Sequence, residues 1–505
     1  MNQTESKQPK QKAILLAKLG TLPELSNIVT ELAQLLPGTR LLGIGAEGVS
    51  ASPQLEVIAH ERQLVLGAFD AWWKEQLYVD PDLYVKLLPR ESQLLRTIER
   101  VVRHDVFQVD KPTFPTEPFR DTFDGRSQLL LRQIAFWDSI LMKQNVAAVV
   151  AQSIPHNFWD AVLYAVTEAR EIPYLFFHEV RPFLSSVYFY ERLEEMGNLN
   201  RSHDLIQATK QRYGMVPDSV GRAEFMYKQV STESTKFHRE SGKKQKFTFT
   251  KRVTMLLRTP RHVPFKVYRS LTRRFIDYRS RRRENLVAQS RSLPGKYFLI
   301  ELHIQGNATT LMKGYMYGEQ REMVAHISHS LPAGYSLLVR ESSRQSSRKQ
   351  PRREAFWQQI SALPSVHIIS DELDSKDVLL KSAGLIELGY SSLVMEAINL
   401  DVPVIVLGLT HLHGAPHAHV VTENSTLPLV LKQVSEQPQR RYGSPDAIQE
   451  GLYEWADRTR ESTLQASLST TFTNQLDSDP DFQVRILKNV SRLVATWYQQ
   501  RVKRT

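Results

Sequence analysis

Short apolar runs bounded by glycine, proline or polar clusters recur along this chain and alternate with segments of helical period. Residues 13–17, 41–44 and 55–59 read as strands, with an amphipathic helix over 25–36 after the first. A helical stretch covers 83–102, a turn-rich loop 112–124, and a further helix 128–143. A strand–loop–helix–strand unit follows: strand 147–151, loop 152–156, helix 157–170 and strand 173–177. Residues 200–295 differ, being helical, basic and poor in buried strands. From Lys296 the first rhythm returns, with strands 297–302, 336–339 and 366–369 and a helix over 319–330. Asp479-Pro480 supplies an N-cap and N1 pair for a last helix, which carries Ile486, Leu487, Val490, Leu493, Val494 and Trp497 on one face. Strands fully apolar on both faces and separated by helices predict parallel α/β sheets. No repeat at a solenoid period is present.

Residues 385–408 carry the densest signal. A buried strand, 385–388, runs into Gly389-Tyr390-Ser391-Ser392, then Glu396-Ala397, then a second buried strand over 402–407. Ser391 or Ser392 can cap the intervening helix. A glycine turn feeding a helix N-terminus presents backbone N–H groups and a positive dipole end, which suits a phosphate. Glu396, about one turn into the helix, can accept hydrogen bonds from sugar hydroxyls beside that phosphate. A second glycine pattern, Gly43-Ile44-Gly45-Ala46-Glu47-Gly48, matches G-x-G-x-x-G. Ser50, Ser52 and Pro53 follow where a helix should open, so a dinucleotide site is not expected there.

At 505 residues the chain exceeds one ordinary core, and its composition, 41% hydrophobic and 24% charged, is that of a globular protein. No apolar run reaches the ~18 residues needed to span a bilayer, and no secretory signal is visible at the N-terminus. With no cysteine, disulfides and thiolate chemistry are excluded, and a cytoplasmic location fits best. The formal net charge is +11, but between Lys236 and Lys296 nineteen Lys or Arg face three acids, a local +16 that leaves the remainder at −5. The expected organisation is an N-terminal Rossmann-like domain (1–200), a helical basic insert (201–295), a C-terminal Rossmann-like domain (296–430) and C-terminal helices (431–505).

Three segments together carry a family resemblance. Ile154-Pro155-His156-Asn157-Phe158-Trp159-Asp160-Ala161-Val162-Leu163-Tyr164 resembles the "PH…D..LY" segment of capsular and surface-polysaccharide biosynthesis proteins. The strand and loop from Tyr297 through His303 to Thr309-Thr310 is similar to their "LH.QPE.TT", and Leu388-Gly389-Tyr390-Ser391-Ser392-Leu393-Val394-Met395-Glu396-Ala397 to their "TGT.G.EA". The resemblance is clearest over 145–180 and 296–410. It implies a GT-B-like glycosyltransferase, with two Rossmann-like domains facing across a cleft and the donor nucleotide on the C-terminal one. The chain departs from the family where "KEHP" is expected: Arg340-Glu341-Ser342-Ser343 lacks the histidine. Gly306 and Asn307 stand where "QPE" has its proline and glutamate.

Sugar transfer needs a base at the acceptor hydroxyl and positive charge for the departing phosphate. His156 lies in a loop at the C-terminal end of a strand, where α/β folds place ligands, and is the candidate base, with Asp160 orienting it. The competing role is a histidine packed between loop and helix. Donor-binding candidates are Gly389, Ser391, Ser392 and Glu396, with His303, Thr309 and Thr310 on the earlier loop and Arg340, beside Arg344, offsetting phosphate charge. The alternative for these arginines is a solvated basic loop through Arg348, Lys349, Arg352 and Arg353. His411, His413, His417 and His419 form H-x-H-x₃-H-x-H after a strand and read as a cleft loop contacting sugar or phosphate. No helical HxxxH frame supports a metal site there, and neither a metal nor a cofactor is expected.

These readings combine into a glycosyltransferase of surface-polysaccharide assembly, moving a sugar from a nucleotide-sugar donor to a glycan or lipid-linked acceptor. The alternatives are a non-catalytic carbohydrate-binding or assembly protein of the same fold, favoured by Ser342, and a nucleotide-sugar epimerase. Phe265, Tyr268, Leu271, Phe275 and Tyr278 recur every three or four residues among arginines, the pattern of an interfacial helix on an anionic membrane. Such a helix over 251–285 would place the protein at the inner membrane face. Nucleic acid is not an expected partner, because no binding motif accompanies the charge. Replacing Arg273, Arg274 and Arg281–Arg283 with Gln is expected to release the protein from anionic vesicles and leave soluble-acceptor activity intact. The attraction should fade with salt, since the Debye length falls from ~10 Å at 0.1 M to ~3 Å at 1 M. Wild-type protein that ignores such vesicles at low salt would identify the segment as an interdomain helix.

Overall fold

Runs such as Ala-Ile-Leu-Leu-Ala and Val-Ala-Ala-Val-Val-Ala leave both faces of a strand apolar, and a sheet covered by helices on each side is the arrangement that buries them. A computed structural model describes residues 11–17, 26–45, 52–60, 78–100, 123–179, 186–197, 199–215, 293–304, 309–342, 352, 354–370, 373–437, 443–460, 464–465 and 480–502. The basic segment 251–285 lies outside the described residues, as do Gly306, Asn307, Arg344, Arg348, Lys349 and Arg353. The chain divides into two units, Met1–Phe225 with Asp457–Thr505, and Met226–Ala456.

The first unit holds β1 (Ala13–Ala17), β2 (Arg40–Gly45), β3 (Leu55–His60), β4 (Val146–Ala151), β5 (Tyr174–Glu179) and β6 (Ser186–Tyr190). Across the sheet they run β6-β5-β4-β1-β2-β3, with the two-residue strand Leu464–Gln465 beyond β6. β1 to β5 are parallel; β6 is antiparallel to β5. The glycine pattern is absorbed by this sheet. Gly43 and Gly45 lie within β2, and a Cβ on Gly43 would meet the Leu55 side chain at 2.6 Å, so that glycine serves strand packing. The helical stretch over 83–102 is two helices, Pro81–Leu87 and Glu91–Arg100, joined by a tight turn at Leu88–Arg90. Pro89, which has no N–H to donate, sits in that turn.

The last helix, Pro480–Arg501, belongs to this first unit. Leu487, Val490, Leu493, Val494 and Trp497 enter the same core as β1, β4 and the helix Ser26–Leu35. Ser491 Oγ donates to the Ile28 carbonyl at 3.2 Å. Trp497 Nε1 donates to Glu191 at 2.6 Å, and Arg501 Nε reaches the same carboxylate at 2.7 Å.

The second unit holds β7 (Tyr297–Leu302), β8 (Ser336–Glu341), β9 (Val366–Ile369), β10 (Gly384–Leu388), β11 (Val404–Leu407) and β12 (Ala418–Val421). All its pairings are parallel, in the order β9-β8-β7-β10-β11-β12. Numbered within each unit, both sheets run 3-2-1-4-5, the doubly wound order of dinucleotide-fold domains, so the chain contains two Rossmann-like domains. Alternate residues divide the second sheet. Phe298, Ile300, Leu302, Leu337, Val339, Ile386, Leu388, Ile405 and Leu407 pack one helical layer. Leu299, Glu301, Arg340 and Glu387 therefore face the other. Among the described residues no helix is long and apolar enough to cross a membrane.

Candidate functional site

In each sheet the strand order reverses between the first and fourth strands, and the loops at that reversal are where this fold places ligands. In the second domain the reversal falls between β7 and β10. Gly389 follows β10 with φ +69°, a left-handed conformation that an L side chain rarely adopts, and its N–H donates to the Leu407 carbonyl at 2.9 Å. The chain then enters the helix Ser392–Asn399. Ser391 is its N-cap residue, with extended φ and ψ (−138°, 170°), but its side chain makes no capping bond, and its Oγ is buried without a partner. Ser392 is exposed. The N-terminus of this helix thus lacks the cap that its sequence offers.

The loops after β7 and β11 close on one another. Gly408 has φ +81°, and a Cβ there would meet the Lys313 carbonyl oxygen at 2.5 Å, while Leu409 N–H donates to that oxygen at 2.8 Å. Thr309 opens the turn Thr309–Lys313; its side chain lies outside the described residues. Thr310 is buried and its hydroxyl reaches the Ile304 carbonyl at 3.4 Å, closing its own loop.

A row of charge crosses the polar face at this end of the sheet. Glu301 pairs in register with Arg340, whose Nε and Nη2 donate to Glu301 Oε2 at 3.0 and 2.6 Å and whose Nη1 donates to Ser375 Oγ at 3.0 Å. Arg340 is buried and is already engaged by a carboxylate. His303 Nε2 lies 2.9 Å from Glu387 Oε1, though neither that nitrogen nor Glu387 Oε2 makes an aligned hydrogen bond. Burial pushes the Glu301 carboxyl up, with Arg340 opposing and Glu387 reinforcing the shift. Burial likewise raises Glu396, against the pull of Arg340 and with the help of Asp374 and Glu301. Glu396, Arg340 and Glu301 therefore share one electrostatic neighbourhood.

Arg352 does not belong to a solvated basic loop. Its side chain is 5% exposed, donates from Nε to Glu341 Oε2 at 2.8 Å and from Nη2 to the His303 carbonyl at 2.7 Å, and lies over the Phe356 ring. Gln320 Nε2 donates to the same carbonyl at 3.1 Å, so two side chains fix the backbone of His303. Ser342 is buried, and its N–H donates to Glu341 Oε1 at 3.1 Å.

The four histidines after β11 do not form a single cleft loop. His417, with φ +58°, makes a short contact to Asp401, whose other oxygen accepts from Gly443 N–H at 3.1 Å. His419 is in β12, the edge strand. His411 is buried between Tyr390 and Trp455, with ring centroids at 5.1 and 6.5 Å. Burial lowers the His413 imidazole, and its carbonyl accepts from Trp455 Nε1 at 3.1 Å. Among the described residues, no group of three or more His, Asp or Glu could hold a metal ion.

In the first domain the reversal falls between β1 and β4, and Gln152 N–H, just past β4, donates to the Ala17 carbonyl at 3.0 Å. His156 sits in this loop, half-buried, with Nδ1–H donating to the Ile154 carbonyl at 2.7 Å. Asp160 is buried in the first turn of the helix Phe158–Ala169 and accepts from Asn157 Nδ2 at 2.8 Å. Asn157 is thus the residue that ties Asp160 to the loop, a role its position beside His156 does not advertise.

No family model matches the chain, and no curated protein sequence matches it. Among solved structures it is similar to the UDP-GlcNAc 2-epimerase of Methanocaldococcus jannaschii, at 12% identity over 88% of this chain and 99% of that one, with a TM-score of 0.26. It is similar to CalG4, the calicheamicin glycosyltransferase, at 12% identity, 95% and 100% coverage and a TM-score of 0.25. It is also similar to KpsC, a β-Kdo 2,7-transferase of Thermosulfurimonas dismutans, at 8% identity, 70% and 88% coverage and a TM-score of 0.28. The two Rossmann-like domains are defined by the chain's own strand order.

Because Glu301 and Glu396 are raised, the folded chain retains protons that the unfolded chain has released. Stability should therefore fall as pH rises above about 4.3, the ordinary glutamate value, through each group's raised value. Glu396→Gln is expected to flatten this decline in a series of melting temperatures against pH. A profile that superimposes on wild type would place Glu396 in solvent.

Proposed function

We propose that the second domain holds the nucleotide of a nucleotide-sugar at the β7–β10 reversal, and that the protein transfers the sugar to a glycan or lipid-linked acceptor of surface-polysaccharide assembly. The observation that carries this reading is the uncapped helix N-terminus after Gly389, set beside the half-buried Glu396. Backbone N–H groups of the Ser391–Leu393 turn would take the phosphate oxygens. Glu396 would accept hydroxyl donors next to them, and burial makes each such bond worth more than it would be in water. Arg340 would act through Glu301 and Ser375, which it already holds, and so shape the site without contacting phosphate. His156, at the first domain's own reversal, is the proposed base: it would take the proton of the acceptor hydroxyl as that oxygen attacks the sugar carbon and the nucleotide leaves.

Two other readings stay in competition. Ser342 in place of the family's histidine favours a carbohydrate-binding or assembly protein without turnover, and turnover of the donor alone would indicate an epimerase. A thermal-shift series with CMP, CDP, UDP and GDP tests the shared premise, because a ligand at 100 times its dissociation constant adds roughly 2.7 kcal/mol. Glu396→Ala is expected to weaken the nucleotide that binds by about 1–3 kcal/mol; unchanged affinity in a folded variant removes Glu396 from the site. His156→Ala is expected to lower turnover by roughly 10²–10⁴-fold with donor affinity kept. A variant that melts earlier with wild-type turnover assigns His156 to packing.

A further inference from the structure

Glu387 lies on β10 one position past Ile386, which pairs with Ile300, and so stands beside Glu301. Its side chain is 2% exposed. Arg340, the cation on the neighbouring strand, directs its bonds to Glu301 and Ser375. The group at Glu387 is His303, whose Nε2 is 2.9 Å from Oε1 without forming an aligned hydrogen bond. Two buried polar atoms are thereby left over side by side, His303 Nε2 and Glu387 Oε2. Buried polar atoms are almost always satisfied, and a charged group without its bonds is among the costlier exceptions. The His303 backbone is fixed beside this pair, its carbonyl accepting from both Arg352 and Gln320.

The chemistry of the leftover pair is specific. With its proton on Nε2, His303 donates, and Glu387 Oε2 accepts. A phosphate oxygen can only accept, and it would meet the charge of Glu387 and Glu301. A hydroxyl both donates and accepts, so one hydroxyl completes both atoms at once. We propose that Glu387 and His303 form a hydroxyl-reading subsite at the ends of β7 and β10, which takes one sugar or ribose hydroxyl of the bound ligand. It lies on the polar face of the sheet with Glu301 and Arg340, so the phosphates go to the Gly389 turn and the polyol to the carboxylate. This rests on the nucleotide-sugar reading of the same site and assigns Glu387 a role in ligand choice.

The test uses the full-length chain, with UDP, CMP and GDP and the sugar nucleotides UDP-GlcNAc, CMP-Neu5Ac and GDP-mannose as probes. For the probe that wild type binds, Glu387→Gln is expected to weaken binding about 10- to 100-fold, the value of a hydrogen bond to a charged group. Without ligand the same variant should melt at or above the wild-type temperature, since it removes an unsatisfied buried charge. A loss confined to the sugar nucleotide assigns the hydroxyl to the sugar, and an equal loss with the bare nucleotide assigns it to the ribose. His303→Gln, which retains a donor but not the ring geometry, should show the same pattern. A Glu387→Gln protein that melts several degrees lower and binds as wild type does would make the pair a structural contact and overturn the subsite. Wild-type affinity without a stability change would mean that an ordered water alone completes the pair, and overturns it equally. If wild type binds none of the six probes, the nucleotide-sugar reading itself fails and takes the subsite with it.

Discussion

The crossovers on either side of β7 lead to opposite faces of the second sheet, and the chemistry of that domain depends on this divergence. The helix Gln320–Ser330, which follows β7, packs the apolar layer with Phe298, Ile300 and Leu302. The buried residues of the helix Ser392–Asn399, which follows β10, are absent from that layer and belong to the face that carries Glu301 and Arg340. Between them the ends of two neighbouring strands receive no covering helix from their own connections. Charged side chains can occupy strand positions there that would be untenable in the middle of the sheet.

Those charges form a graded series. Arg340 and Glu301 satisfy one another through two hydrogen bonds and are braced by Ser375, a completed pair of the kind that stands burial. Arg352 and Glu341 form a second completed pair and, with Gln320, immobilise the backbone that leads to His303. Glu387 and His303 are incomplete, and Glu396 is half-buried on the helix that follows β10. Satisfied pairs thus surround unsatisfied groups, an arrangement in which a stable frame holds a few side chains away from their individual optimum.

Much of the second domain was legible in the sequence, because its strands are continuous apolar runs with sharp boundaries. The strands over 297–302 and 366–369 fall where periodicity predicts them, and Gly389 makes the turn that its position requires. Glu301 and Glu387 also carry a signal in the sequence: each is a lone acid near the C-terminal end of an otherwise apolar strand, Tyr-Phe-Leu-Ile-Glu-Leu and Gly-Leu-Ile-Glu-Leu. β6 and β12 are not among the strands that periodicity predicts. β6 is an aromatic run joined antiparallel to a parallel sheet, and β12 is a short strand whose histidines resemble a ligand loop.

The sequence by itself determined the two parallel sheets, the turn before Glu396 and the concentration of positive charge in one internal segment, because each is a local pattern of polarity or backbone permission. Only the tertiary structure decided which charges are engaged. Arg340 and Arg352 read alike as basic residues beside a predicted loop, yet one is held by Glu301 across a strand pair and the other by Glu341. The same holds for the return of Pro480–Arg501 to the first domain, since an apolar helix face specifies that it must be buried and not against what. Strand register and crossover direction set those partnerships, and both arise from contacts between residues far apart in the chain.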